Sequence, residues 1–164
     1  MVYHLRPAGV ELLLGAPTRL VFMARLRSSR EAVFHELTDD ASTTPLWFEE
    51  VSSAAYTGAP PYGVGSGRAV TLRGGPRFVE KVLVCQEPER FVYRAETTSL
   101  PGVRAWMEEW LLAPSGDGGS LLRFTMAVEA APALRAVLRL GRPGVARAVR
   151  RATARLDARC GAGG

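Results

Sequence analysis

The chain has 164 residues, a net charge of +5 and a 47% hydrophobic composition. Its length suffices for one domain with a sizeable core, and no segment approaches the roughly 20 apolar residues of a membrane-spanning helix. Its two cysteines, Cys85 and Cys160, lie far apart in the sequence, so we expect no disulfide framework. These observations indicate a soluble cytoplasmic protein.

Residues 1–17 are the least regular part of the sequence, and we interpret them as an N-terminal extension. The apolar run at 12–14 is too short for a signal peptide and has no basic leader. Residues 10–14 are expected to form a short strand or a helical turn. We assign residues 18–160 to a single ligand-binding domain and residues 161–164 to a tail.

Residues 18–27 alternate between apolar and polar side chains, which predicts a half-buried strand. Ser28 precedes Glu31 by three residues, the spacing of a capping box. This spacing predicts a short helix that ends near residues 38–40. A second helical turn is expected at residues 42–48.

Six further segments have the composition of strands, at residues 51–57, 69–73, 78–85, 90–98, 104–112 and 121–130. Turns of hairpin length separate most of them, which makes neighbouring strands antiparallel. The Gly/Pro-rich segment at 58–67 is expected to be a surface loop. The alternation predicts a sheet with one buried face and one solvated face.

The C-terminal segment, residues 134–160, predicts a long amphipathic helix. Val145, Val149, Ala152 and Leu156 recur at helical spacing and form one apolar stripe. Such a stripe needs a partner surface, and the curved sheet is the natural candidate. Pro143 would either kink this helix or lie in the first turn of a second one.

The same segment holds eight arginines and one acidic residue, Asp157. The simplest interpretation is a solvated basic face. The alternative is an interaction surface for an anionic membrane or nucleic acid. Of these two partners we consider a peripheral contact with a membrane possible and do not expect binding of nucleic acid.

The order of the elements predicts an α+β domain with a helix-grip architecture. A curved antiparallel sheet of about seven strands would wrap around the long C-terminal helix. Two short helices would lie between the first and second of these strands.

Six short motifs occur in order along the chain: Ala-Val-Phe at 32–34 with Leu-Thr-Asp at 37–39, Pro-Leu-Trp-Phe at 45–48, Gly-x-Gly at 65–67, Glu-Pro-Glu-Arg-Phe-Val-Tyr-Arg at 87–94, Trp-Leu-Leu-Ala-Pro at 110–114 and Gly-Gly-Ser at 118–120. As a set they resemble the START-like helix-grip (SRPBCC) superfamily, in its polyketide cyclase/dehydrase-like branch. The resemblance implies a deep apolar cavity between sheet and long helix. It does not specify the function, because this fold carries lipid carriers, ligand sensors and some enzymes.

Strand alternation directs two acids, Glu80 and Glu108, towards this cavity, about 10 Å apart across the sheet. A carboxylate among aromatic side chains has a raised pKa unless a cation pairs with it, which is how a general acid or base arises. The alternative is a carboxylate at the rim or paired with an arginine such as Arg68. A one-residue slip would exchange Glu108 with Glu109.

Apolar and aromatic side chains on the same strands and on the second short helix are the candidate ligand contacts: Trp47, Phe48, Tyr62, Phe78, Tyr93, Trp106, Trp110, Phe124 and Met126. The alternative for most of them is plain core packing. Tyr62, on the Gly/Pro-rich loop, is a candidate lid residue. We expect neither a metal site nor a cofactor, because the spacing of His and Cys residues fits no metal motif and no nucleotide-binding motif follows a strand.

The sequence favours binding of a hydrophobic small molecule (lipid, polyketide or isoprenoid-like) by a carrier or sensor. One alternative is a cyclase or dehydratase that uses a cavity carboxylate as general acid or base. A second is an interaction module that acts through the arginine face. Whether turnover occurs stays open, and a homodimer is compatible with the sequence.

Overall fold

A computed structural model describes residues 1–161 of the chain. Within this range the strands are β1 (Tyr3–His4), β2 (Thr18–Leu26), β3 (Val51–Tyr56), β4 (Gly67–Leu72), β5 (Arg77–Gln86), β6 (Arg90–Thr98), β7 (Val103–Pro114) and β8 (Ser120–Ala130). The helices are α1 (Leu12–Gly15), α2 (Arg30–Thr38), α3 (Thr44–Trp47), α4 (Pro132–Leu140) and α5 (Arg142–Gly161), and a 3-10 turn, Ala41–Thr43, precedes α3. None of the helices in residues 1–161 is long and apolar enough to cross a bilayer.

The strands form one curled antiparallel sheet in the order β2-β8-β7-β6-β5-β4-β3, and β1 pairs with β6 outside this path. From β3 to β8 every strand pairs with its neighbour in sequence, as hairpin turns require. β2 and β3 lie at opposite edges, so α2 and α3 connect the two edges of the sheet. This arrangement confirms the predicted α+β helix-grip architecture.

The start of α2 differs from the prediction by one residue. Ser29, not Ser28, is the N-cap, and its Oγ accepts a hydrogen bond from the backbone N–H of Ala32 at 3.2 Å. Ser28 is engaged by α5 instead: its backbone N–H donates to Asp157 Oδ1 at 2.9 Å, and its Oγ donates to the Asp157 carbonyl at 3.1 Å. The capping-box prediction was wrong because this tertiary contact occupies Ser28.

The predicted C-terminal helix is divided into α4 and α5, which meet at Gly141. Pro143 lies in the first turn of α5, the second of the two predicted alternatives. Its missing N–H has no cost there, because the first N–H groups of a helix lack partners within the helix. Of the predicted tail, Gly161 is the last residue of α5, and residues 162–164 lie outside the described residues.

The main core lies between the sheet and α5. Val149, Ala152 and Leu156 of α5 are buried, and Val145 is partly buried beside them. They pack against a set of buried side chains from α2 and the sheet: Val33, Phe34, Leu37, Phe91, Trp110, Leu122 and Phe124. The apolar stripe predicted for the C-terminal segment is therefore confirmed.

Residues 1–17 cover part of the opposite face of the sheet. Leu12 and Leu13 pack on Val92, Met107 and Ala127, all three of which are fully buried. The prediction of one solvated sheet face was wrong for β6–β8. The short apolar run of the N-terminal extension supplies the partner that these outward side chains need.

Candidate functional site

A cavity of about 250 Å³ lies between the sheet, α3 and the junction of α4 with α5. This volume is slightly below the roughly 300–1,000 Å³ typical of ligand pockets. Its apolar wall comes from every side of the fold: Leu37, Trp47, Phe48, Val51, Val70, Leu72, Phe78, Phe91, Trp106, Trp110, Met126, Leu138, Val145 and Ala148. The space therefore suits a small and largely apolar molecule.

A buried ion pair closes one part of the wall. Arg68 of β4 and Glu80 of β5 are cross-strand partners, and Arg68 donates from Nε at 3.1 Å and from Nη2 at 2.7 Å to Glu80 Oε2. The guanidinium lies 4.1 Å from the ring centroid of Tyr93. Burial raises the pKa of Glu80, and the charge of Arg68 opposes this shift. Glu80 is thus held as the partner of an arginine, the alternative considered from the sequence.

A second carboxylate has no such partner. Tyr93 of β6 and Glu108 of β7 face each other across the sheet, and the Tyr93 hydroxyl donates to Glu108 Oε2 at 2.6 Å. Trp106 Nε1 donates to Glu108 Oε1 at 3.0 Å, and Trp110 Nε1 donates to the Tyr93 hydroxyl at 3.0 Å. We call these four residues, Tyr93, Trp106, Glu108 and Trp110, the Glu108 cluster.

Burial raises the pKa of Glu108 to about 7, and the negative charge of Glu80 adds to this shift. The hydrogen bonds from Tyr93 and Trp106 stabilise the carboxylate and act in the opposite direction. Burial also raises the pKa of Tyr93, with a further contribution from Glu108. Glu108 can therefore exchange a proton near neutral pH, whereas Glu80 is tied to Arg68.

The register of β7 decides which of two adjacent acids faces the cavity. Glu108 lines it, while Glu109 lies on the other side of the strand between Arg90, at 2.8 Å, and Arg123, at 3.4 Å. In β5 a bulge between Val82 and Val84 interrupts the predicted alternation. Beyond this bulge, Val84 packs on the opposite face of the sheet, with the buried residues beneath the N-terminal extension.

Most of the predicted site residues line this cavity, and two do not. Those that line it are Trp47, Phe48, Phe78, Glu80, Tyr93, Trp106, Glu108, Trp110 and Met126. Phe124 is fully buried in the core, 4.4 Å from Trp110 between ring centroids, so the prediction that it contacts ligand is corrected to core packing. Tyr62 stacks on Tyr56 at 3.8 Å and forms part of a separate loop surface, which removes it from the cavity wall.

Three polar wall residues were not among the predicted site residues: Arg68, Glu50 and Thr44. For Arg68 the signal was present, because Arg68, Val70 and Leu72 alternate along β4 and all three line the cavity. Glu50 and Thr44 lie outside the strands, where alternation gives no direction. Within residues 1–161 no cluster of His, Cys, Asp or Glu side chains could hold a metal ion.

A family model described as polyketide cyclase / dehydrase and lipid transport matches residues 25–161. An uncharacterized protein of Mycobacterium tuberculosis is 29% identical over 116 residues, which cover 71% of this chain and 69% of that protein. The family match at residues 25–161 includes every residue that lines the cavity, from Leu37 to Ala148.

Solved structures share the fold. A solution structure of a Thermobifida fusca protein has a TM-score of 0.67 and 20% identity, and the match covers 87% of this chain and 93% of that one. A START superfamily protein of Mycobacterium smegmatis has a TM-score of 0.61 and 14% identity, with 80% and 95% covered. At these identities the likeness extends to the fold alone.

Proposed function

Because the chain belongs to the polyketide cyclase / dehydrase and lipid transport family, we propose that it binds a small hydrophobic molecule, as a carrier or sensor. The ligand would be lipid, polyketide or isoprenoid-like. The supporting observation is the cavity, whose wall is apolar apart from a few polar side chains. Burial of the ligand would contribute about 25 cal/mol for each Å² of apolar surface.

Native mass spectrometry of the purified protein, with solvent extraction of what it carries, tests this proposal. We expect a discrete apolar mass that is lost on denaturation. Ala148→Phe fills the cavity from α5 and should abolish the bound mass, whereas Ala154→Phe places the same side chain on an exposed position of the same helix. Equal loading of the two variants would refute the cavity as the binding site.

A second candidate is an enzyme that uses Glu108 as general base on a carbon next to a carbonyl group. The observation that favours it is the position of Glu108 in the cavity wall without a cationic partner, where burial raises its pKa to about 7, close to the optimum for proton transfer at neutral pH. The extracted ligand would be incubated with the protein in D₂O and its mass followed. Wild type should catalyse deuterium uptake, and Glu108→Gln should lose uptake while it retains the ligand. Ligand that stays unlabelled with wild type would leave binding as the function.

We also propose that α4 brings the cavity to an anionic membrane. Val137 is 63% exposed and Leu140 is 83% exposed, while Leu138 of the same helix lines the cavity. Helical spacing puts Arg135 and Arg139 on the side of α4 opposite Val137 and Leu140, and helices that lie in a membrane interface combine such a basic side with an apolar one. The exposed apolar side chains favour a lipid surface over nucleic acid.

Sedimentation with phosphatidylserine-containing vesicles tests this contact. Binding should fall as salt concentration rises and should be lost in the Val137→Ser/Leu140→Ser variant. Met23→Ser is the control, because Met23 is a large exposed apolar residue that lies on β2 and not on α4. Vesicle binding that survives the α4 substitutions would exclude this surface.

A further inference from the structure

The charged side chains of the cavity wall are mostly acidic. Of the residues in the described chain that line it, Arg68 alone is cationic, whereas Glu50, Glu80 and Glu108 are acids. Arg68 already donates twice to Glu80 and lies over the ring of Tyr93. Its charge is thereby matched by Glu80, and an anionic ligand would find no unmatched cation in the wall.

Glu108 has acceptor capacity that the protein does not use. Each of its oxygens accepts one hydrogen bond, from Tyr93 and from Trp106. A carboxylate offers about four acceptor sites, so about two are left. Its side chain is only half-buried in a wall of aromatic rings, which leaves it accessible from the cavity.

A second polar position lies where α3 leads into β3. Trp47 Nε1 and Glu50 Oε2 are buried and have no hydrogen-bond partner among the described residues. Glu50 Oε1 accepts a hydrogen bond from Arg151 Nη2 of α5 at 3.2 Å. Buried polar groups normally have partners. In this wall Glu50 Oε2 is an unused acceptor and Trp47 Nε1 is an unused donor, a combination that suits a hydroxyl group, which can both donate and accept.

From these contacts we infer that the cavity selects an apolar ligand whose polar group donates a hydrogen bond, a hydroxyl or an amine, and rejects a carboxylate. Glu108 is the residue that sets this specificity. A ligand carboxylate would be desolvated beside an acceptor of the same charge, which is costly, whereas a hydroxyl or ammonium group uses the unused acceptor sites. The inference rests on the proposed ligand binding and names the ligand class.

A series of eight-carbon ligands with different polar groups tests this specificity: 1-octanol, octylamine and octanoate at pH 8. The three tryptophans of the chain, Trp47, Trp106 and Trp110, all line the cavity, so their fluorescence reports occupancy directly. We expect octanol and octylamine to bind at least tenfold more tightly than octanoate. Octanoate binding as tightly as octanol would overturn the inference but leave the binding function standing. No response to any of the three would count against the binding function itself.

Glu108→Gln tests the assigned residue, because it removes the charge and keeps the size. The preference for octylamine over octanoate should fall at least fivefold in this variant. It should stay unchanged in Glu89→Gln, which alters an exposed carboxyl in the turn before β6. An unchanged preference in Glu108→Gln would refute the role of Glu108. The same comparison can be made on wild type at pH 5.5. Protonation of Glu108 should reduce the preference for octylamine over octanoate at this pH. An equal ratio of the two affinities at pH 5.5 and pH 8 would contradict the role of Glu108.

Discussion

Glu108 should make the stability of this protein depend on pH in a characteristic way. Its pKa is raised from 4.5 to about 7 in the folded chain, by burial and then by the charge of Glu80. Because the folded state binds this proton more tightly than the unfolded state, the stabilisation is fully present below about pH 4.5. It is lost as the pH rises from 4.5 to about 7.

The size of this effect follows from the same two values. A tenfold change in proton affinity corresponds to about 1.4 kcal/mol, so the pKa shift from 4.5 to about 7 corresponds to a loss of about 3 kcal/mol. The size of the pKa shift reflects burial and four neighbouring side chains: Tyr93, Trp106, Arg68 and Glu80. For a chain of this length, 3 kcal/mol corresponds to about 6–12 °C in Tm.

Urea denaturation of wild type and Glu108→Gln at several pH values between 4.5 and 8 measures the effect. The stability of wild type should fall by about 3 kcal/mol relative to that of the variant across this range. Glutamine cannot accept from both Tyr93 and Trp106 as the carboxylate does, but that cost is the same at every pH. Glu89→Gln, on an exposed carboxyl, should keep the wild-type profile. Parallel profiles for wild type and Glu108→Gln would refute the raised pKa.

Three further substitutions test the packing around the site, each by urea denaturation. Arg68→Met leaves Glu80 buried without its cation and should cost about 3–5 kcal/mol of stability. The double variant Arg68→Met/Glu80→Leu should recover most of this loss. No recovery would mean that Arg68 contributes to stability by its packing alone. Tyr93→Phe removes the hydroxyl that donates to the Glu108 carboxyl and should cost about 1–3 kcal/mol. An unchanged stability would show that this hydrogen bond makes no net contribution. Leu156→Ala, at a fully buried position of α5, should cost about 2–5 kcal/mol of stability. Leu140→Ala, at an exposed position of α4, should change stability by less than about 0.5 kcal/mol. Similar losses for both variants would contradict the packing of α5 on the sheet.

The candidate site shows how far strand alternation can be followed. Alternation correctly directed Glu80, Glu108 and the tryptophans of β7 to one face, because successive side chains of a strand point to opposite sides. It did not decide between the two acids. Both carboxylates were candidates from the sequence, and the contacts favour Glu108, because Arg68 stands opposite Glu80 and pairs with it.

Phe124 and Tyr62 illustrate a different limit. Both are aromatic residues of the kind that line cavities. Phe124, however, packs against aromatic side chains of the neighbouring strands, and Tyr62 stacks on Tyr56. Whether an inward aromatic side chain meets a cavity or other side chains depends on what the opposite layer leaves open. No local pattern contains that information.

The sequence by itself determined the order of the strands and helices from β2 to β8, the antiparallel sheet and the apolar stripe of the C-terminal segment. These features follow from short-range periodicity and from turn-forming residues, and both patterns can be recognised within a few residues of sequence. The tertiary structure alone decided which charges meet. The pairing of Arg68 with Glu80, the contact of Ser28 with Asp157 and the cover of the outer sheet face by residues 1–17 all join positions distant in sequence. Such contacts depend on strand register and on packing between layers. They decide which carboxylate of the cavity is paired with an arginine and which is not.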